Sequence, residues 1–309
     1  MNQRDCVLGV DVGGTHIRMG IVDDSGTIVS DNMRYTKEVS EGESTLENLI
    51  SLLEGFVHES GFNPRGISIG FPSVVSKDRK TIIQTPNIRG LDNLELSAIV
   101  SSYFGIPCEL EKDVNLLLRY DLSTLKIEPE DPVVGVYWGT GIGNSLWVNG
   151  TFLTGASGGA GELGHVPIAG AEELCGCGNF GCLETVASGR KLAEWAASHC
   201  SELPLDDLFL SHAEHPDLTA MVEYTAQAVA SELNIIDPGV VILGGGVIRM
   251  KGFPSQELIR RIEAHLRVPA RSRRTNFRFS QAGHSSGVLG AALHYFDIHG
   301  RMAAEKDRS

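Results

Sequence analysis

Val7-Leu8-Gly9-Val10-Asp11-Val12-Gly13-Gly14-Thr15 and Val133-Val134-Gly135-Val136-Tyr137-Trp138-Gly139-Thr140-Gly141 are two copies of one pattern. In each, a short apolar run enters a tight glycine turn, the signature of a strand feeding a turn. A second apolar run follows, at 16–22 in the first copy and 142–148 in the second. Each ends in a hairpin signal, Asp23-Asp24-Ser25-Gly26 or Asn149-Gly150. Asn-Gly between apolar strands is the strongest short signal of this kind. A third strand is expected after each turn, so the chain holds two similar β-hairpin units.

Helical spacing fills the intervals. Residues 44–60 carry apolar side chains at 46, 49, 50, 53, 56 and 57, with Ser44 and Glu47 as a capping box and Gly61 as the stop. Further helices are expected over 94–104, 113–126, 184–199, 218–236, 255–266 and 286–299, buried strands over 67–71 and 240–244, and a strand over 277–280. This order predicts an α/β protein of two lobes around a cleft, one glycine turn from each lobe facing the other. The expected boundary lies near residues 115–130: an N-terminal lobe over 1–118, on which the helix at 286–300 packs back, and a C-terminal lobe over 119–285.

With 309 residues there is ample chain for two cores. The 39 acidic and 26 basic residues give a formal charge of −13, which disfavours nucleic acid and anionic membrane as partners. The densest basic stretch, 267–278, reads as a solvated loop, and so does the pair His212 and His215. No apolar run approaches the roughly 18 residues of a membrane span. The start Met1-Asn2-Gln3-Arg4-Asp5 lacks an apolar stretch behind a basic one, so a cytoplasmic protein with reduced thiols is expected.

The C-terminal lobe carries Glu162-Leu163-Gly164-His165 and then Cys175-Gly-Cys177-Gly-Asn-Phe-Gly-Cys182-Leu-Glu184. Three thiols and an imidazole within 18 positions suit tetrahedral Zn²⁺ as a structural site. The glycines let the sulfurs turn toward one point. Gly176-x-Gly178-x-x-Gly181 imitates a dinucleotide motif, but it neither follows a strand nor opens a helix and is read as coincidence. Cys6, Cys108 and Cys200 are scattered and read as small hydrophobes.

Other residues have chemistry to offer. Asp11 at a strand end can hold hydrated Mg²⁺, and Gly13, Gly14 and Thr15 offer backbone and hydroxyl donors to phosphate; a plain hairpin turn is the rival reading. Gly139, Thr140 and Gly141 repeat the offer, and Gly244-Gly245-Gly246 adds a third glycine turn. Asp113 opens a helix after an extended run, where a carboxylate can accept a hydroxyl proton or simply cap the helix. Glu162, His165 and Glu184 suit the hydroxyls of a sugar, although a helix's first turn also attracts Glu184.

Together these motifs resemble the ROK family of repressors and sugar kinases, in the superfamily of sugar kinases, Hsp70 and actin. The resemblance runs from about Val7 to His299 and is most specific in Glu162-Leu-Gly-His165 and Cys175-x-Cys177-Gly-x-x-Gly-Cys182-Leu-Glu184. Within the family the chain is most similar to the D-allose-phosphorylating members, on residues 70–78, 85–87 and 113–116. The resemblance implies an actin/hexokinase/Hsp70-like (ribonuclease H-like) fold. It implies transfer of phosphate from Mg-ATP to the 6-hydroxyl of a free aldohexose, D-allose favoured, with glucose, N-acetylmannosamine or fructose as alternatives. Asp113 would be the general base. Asn87, Glu162, His165 and Glu184 would bind sugar hydroxyls, and His165, Cys175, Cys177 and Cys182 would hold structural zinc. Asp11, Gly13, Gly14, Thr15, Gly139, Thr140 and Gly141 would bind Mg-ATP, with Gly245 and Gly246 near the adenosine. Lys112 departs from the Asn that glucose-type members place before the base; it can donate but not accept, which favours a differently configured hexose. Regulatory members carry a DNA-binding segment before the Asp-x-Gly-Gly-Thr turn, and here that turn starts at residue 11, so an enzyme is expected. A homodimer is the base-rate expectation for assembly.

Overall fold

The first glycine repeat folds as a hairpin. β1 (Cys6–Val12) pairs antiparallel with β2 (His16–Asp23), which pairs with β3 (Ile28–Tyr35). The computed structural model describes residues 6–40, 44–85, 88–128, 132–268 and 275–300. Two units partition the chain: Met1–Lys126 with Thr154–Ala160 and Ala282–Ser309, and Ile127–Leu153 with Gly161–Gln281.

In the first unit β3 leads to α1 (Lys37–Ser40), α2 (Thr45–Ser60), β4 (Ile67–Phe71), β5 (Val74–Val75), β6 (Ile82–Gln84), α3 (Leu96–Phe104), β7 (Cys108–Lys112) and α4 (Asp113–Thr124). The sheet order is β3-β2-β1-β4-β7, with β1, β4 and β7 parallel. The Ser44 hydroxyl accepts the Glu47 amide at the start of α2, and Gly61 closes that helix in the left-handed conformation. Leu49, Leu53 and Phe56 on one face of α2 join the core formed by Leu8, Val10, Ile67 and Ile69. β5 and β6 form a small separate ribbon that the periodicity does not signal. α3 starts two residues later than its apolar pattern, because Leu94 pairs its backbone with Ile82 instead.

The second unit repeats the plan. β8 (Val133–Trp138), β9 (Ile142–Val148) and β10 (Thr151–Phe152) form the second meander, turning at Asn149 and Gly150, both at positive φ. There follow α5 (Leu183–Ala187), α6 (Gly189–His199), α7 (Leu208–His212), α8 (Pro216–Ile236), β11 (Val240–Gly244), α9 (Ser255–His265) and β12 (Asn276–Phe279). Sheet order is β10-β9-β8-β11-β12, with β8, β11 and β12 parallel, which is the first sheet's order again. α10 (Ser286–His299) returns to the first unit, packing Val288, Ala292, Tyr295 and Phe296 on Val7 and Val22.

Two expectations are corrected. The helix expected over 184–199 is two helices. Ser188 breaks it, extended at φ −78°, ψ 164°, and its hydroxyl accepts the Lys191 amide to start α6. His212 and His215 are not a solvated loop: with His199 they surround Trp195, His199 stacking on the indole at 4.3 Å and His215 meeting its edge at 4.8 Å. Much of the basic stretch, residues 269–274, lies outside the described residues. Among the described residues no helix is long and apolar enough to cross a membrane.

Candidate active site

In an open parallel sheet, loops and helix starts beyond the carboxyl ends of the strands are where ligands bind. The first unit places two carboxylates there. Register aligns Asp11 of β1 with Gly70 of β4, and Gly70 with Glu111 of β7, so Asp11 and the Lys112–Asp113 corner end neighbouring rows of one edge. Asp11 pairs across the hairpin with Arg18, at 3.7 Å. Burial raises its carboxyl above the ordinary value, and the Arg18 charge opposes that rise. A dication at such a carboxylate favours the ionised form.

The turn after β1 is less open than its glycines suggest. The Gly13 amide is spent inside the hairpin, donating to His16 at 2.8 Å, while the Thr36 hydroxyl takes the Gly13 carbonyl at 2.6 Å. Gly14 and Thr15 form the exposed tip. Asp113 is the first residue of α4, half-buried, and its Oδ1 accepts the Val114 amide at 2.7 Å. Lys112 before it is buried, and its Nζ donates to the Ala160 carbonyl at 3.0 Å. Sequence reading missed Glu111. Its buried carboxylate accepts the Lys112 amide (2.8 Å) and the Asn115 side chain (2.9 Å) and pairs with Arg79 (3.0 Å). β7 reads Cys108-Glu109-Leu110-Glu111-Lys112, charged at three of its five positions, so nothing along the strand singled Glu111 out. Asn87 lies outside the described residues.

In the second unit the turn after β8 rests on a helix start. The amides of Gly189 and Arg190, opening α6, donate to the carbonyls of Gly139 and Thr140 at 2.9 and 3.0 Å. A Cβ on Gly189 would lie 2.3 Å from the Gly139 oxygen, so the approach needs glycine. Glu184, in the first turn of α5, sends Oε1 to the Ile142 amide at 2.7 Å, directly beneath the same turn. A Cβ on Gly141 would lie 2.2 Å from that oxygen. Thr140 is exposed. Gly245 follows β11 at φ +99°, where a Cβ would lie 2.3 Å from the Trp138 oxygen, and Gly246 is exposed.

Glu162 and His165 flank a single 3-10 turn, closed by the His165 amide on the Glu162 carbonyl at 2.9 Å. The ring Nε2 of His165 is 3.9 Å from Glu162, and its Nδ1 is 3.5 Å from the Cys175 sulfur. The sulfurs of Cys177 and Cys182 are 3.7 Å apart, and no disulfide joins them. Ligand atoms of all four residues lie within 4.8 Å of one another. Zn–S bonds of about 2.3 Å in a tetrahedron set ligand atoms about 3.8 Å apart, so donors and spacing both fit zinc. Burial and the neighbouring thiols push the Cys182 thiol up to about 12. Three crowded thiols resist ionising together, and a dication reverses that.

A model of the ROK family matches residues 7–297. A glucokinase of Halalkalibacterium halodurans is 28% identical, over 92% of each chain. An N-acetyl-D-glucosamine kinase of Yersinia pseudotuberculosis is 29% identical, over 92% of this chain and 97% of its own. Among solved structures, a ROK-family glucokinase of Streptomyces griseus in complex with glucose and AMPPNP superposes with a TM-score of 0.76. It is 25% identical and covers 93% of this chain and 98% of its own.

Proposed function

We propose, from the premise that this chain belongs to the ROK family, that it transfers a phosphoryl group from Mg-ATP to the 6-hydroxyl of a free aldohexose, with D-allose favoured. It is an ATP-dependent hexose kinase. The observation that carries this reading is the placement of two carboxylates, Asp11 and Asp113, at one edge of the first sheet, beyond the carboxyl ends of its parallel strands. Asp11 holds the hydrated Mg²⁺ of the nucleotide. Gly14 and Thr15 at one turn tip, with Thr140 and Gly141 at the other, offer donors to its phosphates; the Gly139 amide is already spent on the Gly141 carbonyl, at 2.9 Å. Gly13 shapes the first turn instead, because its amide is already spent. Gly245 and Gly246 lie near the adenosine.

Asp113 takes the proton of the sugar hydroxyl as phosphate leaves ATP, and charge neutralisation with positioning supplies most of the barrier reduction. Glu162, His165 and Glu184 bind sugar hydroxyls, with Asn87 a further candidate. His165, Cys175, Cys177 and Cys182 would hold zinc, which would stiffen the loop that carries His165. The preference for D-allose rests on Lys112. An ammonium donates and never accepts, so it rewards a hydroxyl whose lone pairs face it.

A second reading, glucose or an N-acetylated amino sugar, is favoured by the names of the relatives at 28 and 29% identity. Coupled ADP release across D-allose, D-glucose, N-acetylglucosamine, N-acetylmannosamine and D-fructose decides between them. D-Allose should show the highest kcat/KM. A higher value for any other sugar ends the allose assignment, and no turnover with any sugar ends the kinase reading.

A further inference from the structure

We propose that Glu232 is a positioning residue: acting through Asn144, it holds the Leu163 amide and so fixes the 162–165 turn that carries Glu162 and His165. What that turn presents to substrate rests on the hexose-kinase reading above; the relay itself is a matter of geometry. Asn144 lies on β9, 1% exposed, with both ends of its amide engaged. Its Oδ1 accepts the Leu163 amide at 2.9 Å, and its Nδ2 donates to Oε1 of Glu232, on α8, at 2.5 Å.

An asparagine amide can turn over and exchange its oxygen for its nitrogen. Turned over here, its NH₂ would oppose the Leu163 donor and its oxygen would oppose the carboxylate. Glu232 therefore selects the orientation that leaves an acceptor for Leu163. The turn has little slack to absorb an error, since a Cβ on Gly164 would lie 2.3 Å from the Ile142 carbonyl.

Among the described residues Glu232 has no competing partner of this kind. Its Oε2 is buried without a hydrogen bond. It stands on the wall of a cavity of about 460 Å³ that also reaches Glu162 and Leu163 and that no described cationic side chain lines. A buried carboxylate without a cation is costly, and what it gains here is the one bond to Asn144. Burial raises its carboxyl to about 7. Oε1 can accept from Asn144 in either protonation state, so glutamine should replace it and a side chain without an acceptor should not.

Hydrogen exchange at the Leu163 amide and steady-state kinetics with the preferred hexose test this together. In Glu232→Ala the Leu163 amide should exchange at least about tenfold faster, and the sugar KM should rise roughly tenfold while the ATP KM stays put. Glu232→Gln should stay within about twofold of the wild type in both, and Asn144→Ala should match Glu232→Ala, with no added effect in the double variant. Where Glu232→Ala does not fold, Glu232→Met keeps the volume without the acceptor and carries the same expectation. Unchanged Leu163 exchange, a glutamine variant as poor as alanine, or an ATP KM rising in step with the sugar KM overturns the relay. If the wild type turns over no hexose, the kinase reading falls, and Leu163 exchange still decides the relay.

Discussion

Asp113 follows a strand end and opens a helix, so its carboxylate is held by local backbone, the Val114 amide at 2.7 Å. Behind it, Glu111 ties the corner down through Arg79 and Asn115. Asp113→Asn preserves shape and removes basicity. Turnover should fall by about 10³-fold while sugar affinity, read by calorimetry, stays near the wild type. Near-normal kcat in that variant would remove Asp113 from the base role. Glu232 offers a second measurement, in stability. Its carboxyl titrates at about 7 in the folded protein, above an unfolded value of about 4.3. The folded state thus keeps this proton longer, so the stabilisation is complete below about pH 4.3 and fades as pH climbs through about 7. Glu232→Gln has nothing to ionise there. Urea unfolding should show it gaining stability relative to the wild type between about pH 5 and about pH 8. A pH-independent difference would contradict that burial.

At the scale of elements, the start of α6 is a device for placing a turn. Ser188 breaks the helical run, and the first two amides of α6 then grip the carbonyls of Gly139 and Thr140. Gly189→Ala suits a helix yet forces a methyl against the Gly139 oxygen. It should raise the ATP KM roughly tenfold or more with the sugar KM little changed, because small misplacements of phosphate donors are costly. Equal kinetics for this variant would mean that α6 does not set the turn. The 184–199 run reads as one amphipathic helix because its apolar spacing continues across the break. Serine's capping role depends on where the backbone is sent, and periodicity does not carry that.

Among the described residues the apolar core falls into three clusters: one around Leu8, Ile69 and Leu53, one around Trp138, Leu243 and Val229, and a smaller one where α10 packs on Val7 and Val22. The Cys/His loop belongs to the second unit. About one zinc per chain is expected by elemental analysis. Stripping it with a chelator should lower the melting of the second core first, splitting one calorimetric transition into two. A single unshifted transition in protein shown to be metal-free would sink the stapling role.

Local pattern carried much of this protein. The duplicated strand–turn–strand runs were legible because apolar alternation and glycine turns act over a few residues, and they reappear as two sheets of identical order. The boundaries of α2 followed from the cap Ser44 and the stop Gly61 written beside it. The four donor residues, His165 and three cysteines, were legible because the cysteines lie within eight positions. Tertiary structure alone decided the rest. Asn144 and Glu232 are 88 residues apart, and Arg79 meets Glu111 only because the sheet brings their segments together. The Gly13 amide was lost to the hairpin, and Lys112 found the Ala160 carbonyl. Hydrogen-bond partners of buried polar groups are chosen by whatever the packed backbone sets nearby, and no spacing along the chain records that choice.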